Sequence, residues 1–171
     1  GPNPYGITFL PEFPEINVIS NVKNEQGTPI GNLGDGEAVW HADMTYLELP
    51  PKAGILYALE VPENQGNTHF ANMILAYSDL SDAIKQKIEG KILIHDSAHN
   101  SAGMLRKGYS EVDNPTETPG ARHPMVITDQ NTNKKLLFLG RRPHAYIVGL
   151  EIEESENLLD EIWEHATQEK Y

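Results

Sequence analysis

The 171 residues include 13 Lys and Arg against 25 Asp and Glu, a formal net charge of −12, and no cysteine. The length suits one domain with its own hydrophobic core. The acidic balance disfavours nucleic acid and anionic membranes as partners, and the lack of cysteine excludes disulfides, thiolate metal sites and cysteine nucleophiles. Because no apolar run could span a bilayer and no export signal is visible, we expect a cytoplasmic protein that binds a small molecule.

Apolar and β-branched runs bounded by turn residues predict β-strands in the first half of the chain. The predicted ranges are 16–22, 38–46, 54–60 and 67–71. The second range ends before Pro50 and Pro51, since tandem prolines continue neither a helix nor a central strand.

The second half of the chain mixes helices with strands. Ser81 as N-cap and Gly90 as C-terminal stop predict a short helix over 83–88. Strands are predicted at 91–95, 124–128, 135–139 and 145–148, the middle two as a hairpin. A last helix follows from apolar residues with helical spacing, namely Leu158, Leu159, Ile162, Trp163 and Ala166. The polar segment 97–121 is expected to be a mobile lid loop.

These elements predict a mainly β protein with flanking helices, forming an antiparallel barrel or sandwich in a single domain over 1–171. Within the predicted strand 38–46, His41 and Asp43 are two residues apart, so both side chains point to the same face and can hold one metal ion. Such a pair supplies two of the three ligands of a 2-His-1-carboxylate Fe(II) site. A histidine that only hydrogen-bonds its neighbour is the alternative.

A family resemblance is carried by three linked segments, which are Trp40–Tyr46, Pro50–Leu56 and Gly66–Asn72. Further matching residues follow at His95–Asp96 and Leu137–Ile147. Together they resemble the taurine dioxygenase family of Fe(II)/2-oxoglutarate-dependent oxygenases. The resemblance covers nearly the whole chain after about Pro14, and it implies a double-stranded β-helix, or jelly roll. The chain is similar to the middle of such an enzyme, so we expect an incomplete jelly roll.

The resemblance also implies roles for particular residues. His41 and Asp43 match the family's proximal iron ligands, and Thr68 matches a threonine that contacts the 2-oxoglutarate carboxylate. A plain strand residue is the alternative for Thr68. Glu37 and Met44 fall at positions that line the substrate pocket in the family.

The implied activity is Fe(II)- and 2-oxoglutarate-dependent hydroxylation, by O₂, of a small substrate bearing a carboxylate or sulfonate, with succinate and CO₂ as co-products. The family's distal histidine ligand and the arginines after it have no counterpart here, and no other histidine is nominated as third ligand. A non-catalytic jelly-roll binding protein and an inactive gene fragment are the alternatives. Uncovered sheet edges would make the chain a homo-oligomer. Arg141 and Arg142 form a basic cluster that we expect to be exposed turn residues, and an arginine fork that binds a carboxylate or sulfonate is the alternative.

Overall fold

The computed structural model describes residues 10, 12–13, 15–20, 22–33 and 39–171. Two compact units are present, residues 1–38 and residues 39–171. In the first unit, strand β1 (Ile19–Ser20) pairs in parallel with strand β2 (Asn32–Leu33). The strand predicted over 16–22 is therefore much shorter than expected.

The second unit contains three α-helices, five strands and one short 3₁₀ turn among its described residues. In chain order these are α1 (Met73–Ser78), α2 (Asp82–Ile88), β3 (Ile92–Asp96), the 3₁₀ turn (Pro115–Glu117), β4 (Gly120–Pro124), β5 (Val126–Thr128), β6 (Lys135–Leu137), β7 (Tyr146–Ile147) and α3 (Ile152–Ala166). Strand β3 lies between β4 and β7 and is antiparallel to both, and β5 and β6 form a separate hairpin.

Local capping explains where the short helices begin and end. The Ser81 hydroxyl accepts a hydrogen bond from the Ile84 amide at 3.3 Å, and Gly90 has a φ of +70° just after α2, as the sequence predicted. Helix α1 was not predicted. Its N-cap is Asn72, whose side chain accepts from the amides of Ile74 and Leu75 at 3.1 and 3.0 Å.

The apolar core of the second unit lies between the helices and the sheets. Helix α1 packs against β6 and α3, and α3 packs against β7. The Ser155 hydroxyl of α3 accepts a buried hydrogen bond from the Ile147 amide at 2.9 Å, which ties the helix to the sheet. The fully buried core side chains include Ile88, Leu93, Met125, Leu137, Ile147, Leu159 and Ile162.

Residues 48–71, called the extended segment below, contain a turn at 63–64 and belong to no sheet among the described residues. No backbone hydrogen bond joins them to a strand in the described part of the chain. Several of their apolar side chains face solvent, and Ile55 is 97% exposed. The strands predicted at 54–60 and 67–71 thus have no partner strand among the described residues.

The observed architecture is a set of small sheets with helices, and the strands of the described residues do not form a continuous jelly roll. The segment 97–121 carries the 3₁₀ turn and the first residues of β4, and five of its residues are buried: Ser97, Ala98, His99, Thr118 and Ala121. Its role as a lid stays a prediction. No helix in the described ranges has both the length and the apolar character needed to cross a membrane.

Candidate metal and cofactor site

Residues 39–47 carry the predicted metal ligands, and backbone hydrogen bonds hold this segment against the sheets. The Ala42 amide donates to the Gly140 carbonyl at 2.7 Å, and the Ala121 amide of β4 donates to the Tyr46 carbonyl at 3.1 Å. His41 also forms an isolated antiparallel bridge with Arg141. Beyond His41 the chain turns, so the strand predicted over 38–46 is wrong for residues 43–46.

His123 of β4 fixes the end of the same segment. Its Nε2 donates to the carbonyls of Thr45 and Leu47, at 2.8 and 3.0 Å. The segment is therefore held at both ends, and the backbone that presents His41 and Asp43 is anchored.

The side chains of His41 and Asp43 meet, although they do so across a turn and not on one face of the predicted strand. The contact is a hydrogen bond, which is the alternative that the sequence also allowed, and the metal role of the pair stays a prediction. His41 Nε2 lies 3.1 Å from Asp43 Oδ1, and His41 Nδ1 lies 2.7 Å from the Val39 carbonyl oxygen. Because a carbonyl only accepts, Nδ1 carries the proton, and Nε2 of the neutral ring has its lone pair directed at the carboxylate.

The electrostatics of the pair favour a cation between the two atoms. The hydrogen bond to Asp43 raises the pKa of His41, and the hydrogen bond from His41 lowers the pKa of Asp43. Both shifts favour a positive charge between Nε2 and Oδ1. A divalent cation would compete with a proton for the same two atoms.

The donor set fits part of an iron site. Two ligand atoms at about 2.1 Å from one ion and at right angles are about 3.0 Å apart, close to the separation found here. The Asp43 side chain is 79% exposed, so the pair is open to an incoming ion. Among the described residues, no three His, Asp or Glu side chains converge on one point.

The other predicted site residues are less well placed. Thr68 is exposed within the extended segment 48–71, and its side chain makes no hydrogen bond to the described residues. Met44 is half-buried and has a φ of +55°, an uncommon backbone conformation for a residue other than glycine. Glu37 lies outside the described residues.

The remaining histidines of the second unit do not join the His41 pair. His95 is buried, and burial together with the neighbouring His123 lowers its pKa to about 3, so the ring is neutral. His99 stacks on His144 with ring centroids 3.8 Å apart. His165 is half-buried, with Nε2 at 2.8 Å from the Ala76 carbonyl oxygen.

Arg141 and Arg142 differ from the sequence-based expectation. Their side chains are only 10% and 19% exposed, so the prediction of exposed turn residues is wrong. Arg141 Nη2 donates to Asp96 Oδ2 at 2.7 Å, whereas Arg142 donates to Glu156 and Asp160 of α3 at 2.8 and 2.7 Å. Carboxylates of the protein itself hold both guanidinium groups, because both groups lie where the turn packs against β3 and α3.

Sequence reasoning did not find the polar cluster around Asp96. The sequence shows the adjacent His95 and Asp96, but Arg141 is 45 positions away and Glu111 is 15 positions away from Asp96. In the folded chain Arg141 donates to Asp96, and Glu111 Oε2 lies 3.2 Å from Nε2 of His99, whose Nδ1 contacts Asp96.

Comparison with known proteins identifies the class to which this fold and site belong. The model of the family described as "Taurine catabolism dioxygenase TauD, TfdA family" matches residues 4–171. The chain therefore belongs to the TauD/TfdA family, whose named members are alpha-ketoglutarate-dependent dioxygenases.

Two relatives show the range of similarity. The chain is 33% identical over 171 aligned residues to the (S)-phenoxypropionate/alpha-ketoglutarate-dioxygenase of Sphingobium herbicidovorans, covering 90% of this chain and 58% of the relative. It is 28% identical over 167 residues to the alpha-ketoglutarate-dependent 2,4-dichlorophenoxyacetate dioxygenase of a Burkholderia species, covering 94% of this chain and 55% of the relative. The chain thus spans a little over half the length of these relatives.

A solved structure supports the same family. The crystal structure of AAD-2 in complex with Mn(II) and N-oxalylglycine aligns with a TM-score of 0.60 and 25% identity, covering 86% of this chain and 62% of that one. In that structure the protein holds a divalent metal ion.

Proposed function

We propose that this chain supplies the metal-binding pair of an Fe(II)- and 2-oxoglutarate-dependent dioxygenase. The observation that carries the proposal is the 3.1 Å separation of His41 Nε2 and Asp43 Oδ1, with Nδ1 fixed on the Val39 carbonyl. Membership of the TauD/TfdA family and the names of its relatives support the same assignment.

In this proposal the protein binds and orients the metal ion and 2-oxoglutarate, which carry out the reaction. When bound, the iron supplies the redox chemistry that couples O₂ consumption to oxidative decarboxylation of 2-oxoglutarate, giving succinate and CO₂. His41 and Asp43 hold the ion from one side and leave its other positions open. The Val39 carbonyl keeps the His41 ring in the tautomer that offers Nε2.

The proposed substrate is a small molecule that carries a carboxylate or sulfonate. The relatives from Sphingobium and Burkholderia are named for carboxylate-bearing aryloxy compounds, which supports an anionic substrate class. Met44 follows the ligand Asp43 directly and is proposed to border the substrate, as is Glu37. The segment 97–121 is proposed as the lid.

Thr68 is proposed to donate its hydroxyl to a carboxylate of 2-oxoglutarate. Its exposure and lack of a partner among the described residues leave the hydroxyl available for a ligand. The Thr68→Ala change is expected to weaken 2-oxoglutarate binding by about 0.5–3 kcal/mol while leaving metal affinity unchanged. Isothermal titration of 2-oxoglutarate in the presence of Mn(II) measures the first affinity, and titration of Mn(II) alone measures the second. Equal 2-oxoglutarate affinities would make Thr68 a plain strand residue.

We also propose the complete jelly roll for the whole protein, and self-association for this chain. The similarity to AAD-2 supports the jelly roll. The extended segment 48–71 pairs with no strand of the described residues and exposes Ile55 and Leu59, which supports pairing with a second copy of the chain. The cytoplasmic location stays a prediction.

The metal assignment is tested by anaerobic titration with Fe(II) or Mn(II). Because a two-residue site has no spare donor, His41→Ala and Asp43→Ala are each expected to remove most metal binding. The matched controls are His69→Ala and Asp113→Ala, which change an exposed histidine and an exposed aspartate that form no described hydrogen bond. Unchanged affinity in both site variants would overturn the assignment.

A further inference from the structure

A buried carboxylate at the end of β3 organises the neighbourhood of the proposed metal site. The Asp96 side chain is 1% exposed. Its Oδ1 accepts from the Ala98 amide at 2.7 Å, and its Oδ2 accepts from the His99 amide at 3.2 Å and lies 2.8 Å from His99 Nδ1. These three contacts are local in sequence. The fourth contact, from Arg141 Nη2 at 2.7 Å, joins two distant parts of the chain.

Arg141 connects this carboxylate to the backbone of His41. Its side chain donates to Asp96, and its backbone forms the antiparallel bridge with His41. The carbonyl of the preceding residue, Gly140, accepts from the Ala42 amide at 2.7 Å. Residues 140–141 therefore contact Asp96 through a side chain and the segment of the metal ligands through the backbone.

The turn at Gly140 is closely fitted to β3. Gly140 has a φ of +68°, and a Cβ atom added there would lie 2.2 Å from His95 Nδ1. The backbone at 140 thus lies directly against the ring beside Asp96. Close contact and the Asp96–Arg141 pair act on the same turn, so the position of the turn depends on groups at the end of β3.

We propose that Asp96 is a positioning residue for His41 and acts through Arg141, an inference that rests on the metal role proposed for His41. With Asp96 neutralised, the largely buried Arg141 guanidinium loses its charged partner. The Arg141 guanidinium can then be hydrated only if it moves toward solvent, and the backbone of Arg141 moves with it. The hydrogen bond between Ala42 and Gly140 opens, and His41 loses its fixed place opposite Asp43.

The first test is hydrogen exchange of single amides in the whole chain, without metal. In Asp96→Asn, the protection factor of the Ala42 amide is expected to fall at least tenfold. The protection factor of the Ile162 amide in α3 is expected to change by less than twofold. The matched control is Asp160→Asn, which removes a partner of Arg142 and leaves Asp96 intact. It should leave Ala42 unchanged. Equal loss at Ala42 and Ile162, or no loss at Ala42, overturns the proposal.

The second test is Mn(II) titration. Asp96→Asn and Arg141→Gln are each expected to weaken Mn(II) binding about tenfold, as loss of a supporting partner does at metal sites. Since both changes break one pair, the double variant should be no weaker than the single variants. Asp96→Glu, which keeps the charge, should restore part of the affinity. Additive losses would mean that the two residues act separately and would overturn the proposal.

The two tests separate this inference from the proposed function. If His41→Ala and Asp43→Ala both leave Mn(II) affinity unchanged, the metal assignment fails, but exchange at Ala42 still decides whether Asp96 positions the segment. If Asp96→Asn does not fold, Arg141→Gln breaks the same ion pair and gives the same comparison at Ala42 and Ile162.

Discussion

Residues 48–71 and residues 72–171 belong to the same compact unit and differ in how their apolar side chains are covered. In the later region, side chains such as Leu159 and Ile162 are completely buried between helices and strands. In the earlier region, Ile55 and Leu59 are 97% and 87% exposed. The composition of the two regions is similarly apolar, so composition alone does not explain the difference.

Backbone hydrogen bonds explain why apolar side chains are buried in residues 72–171 and exposed in residues 48–71. Helices α1 to α3 satisfy their own backbone groups, and β3 finds β4 and β7 within the same hundred residues. The extended segment 48–71 has no neighbouring strand in the described structure. A sequence that favours a strand makes a sheet only when another strand lies beside it, and burial of its apolar face then follows.

The sharpest test of this contrast is truncation of one isoleucine in each region. Ile162→Ala removes a fully buried side chain and is expected to lower the free energy of unfolding by about 2–5 kcal/mol. Ile55→Ala, at an exposed position, should change it by less than about 0.5 kcal/mol. Urea denaturation followed by circular dichroism measures both. Similar losses would show that the extended segment is packed in solution.

A second test uses acid and the buried His95 of the packed region. The folded-state pKa of about 3 lies below the ordinary value of 6.5, because burial disfavours the charged ring. Between pH 6.5 and 3, His95 is therefore protonated in the unfolded chain and neutral in the folded chain. The free energy of unfolding falls as the pH is lowered through this range. This proton contributes a slope of up to about 1.4 kcal/mol per pH unit.

His95→Phe removes the titrating group and should flatten this part of the pH dependence of urea unfolding. His69→Phe, in the extended region, is the control and should leave the slope as in the unchanged chain. A slope unaffected by His95→Phe would mean that the ring is protonated in the folded state.

The smallest effect on stability is expected from charge in the extended region. Leu56→Lys should change the free energy of unfolding by less than about 0.5 kcal/mol, since Leu56 is 70% exposed. It should instead shift the chain toward monomer, because charge on an unpaired strand opposes pairing. Sedimentation velocity measures the shift. Met104→Lys, at an exposed site outside the segment, is the control, and equal behaviour of the two variants would exclude 48–71 as the association surface.

The elements that need only local information were predicted well. Helix α2, with Ser81 and Gly90 at its ends, the hairpin of β5 and β6, and helix α3 all follow from neighbouring residues. The sequence does not predict helix α1, because its six residues give too little periodicity and its N-cap, Asn72, directly follows the strand predicted over 67–71. The strand segments before residue 72 were predicted from pattern, but pairing depends on residues elsewhere.

The candidate site divides in the same way. His41 and Asp43 are two positions apart, so their meeting was predictable from the sequence even though the chain turns there. The pairing of Arg141 with Asp96 and that of Arg142 with Glu156 were not predictable, because each joins a turn to an element placed by the fold. The sequence predicts the contact of His41 with Asp43 because the two residues are close in sequence. It does not predict the two arginine ion pairs, whose partners are distant in sequence.

The contact between Gly140 and His95 limits how this protein can change during evolution. Any larger residue at 140 places a Cβ atom 2.2 Å from the His95 ring, so it is tolerated only after position 95 has become smaller. The reverse change, a smaller residue at 95, opens a cavity but causes no clash. The two positions are therefore expected to vary in a fixed order, with 95 changing first. The φ of +68° at position 140 then favours Asn or Asp over other residues that could replace the glycine.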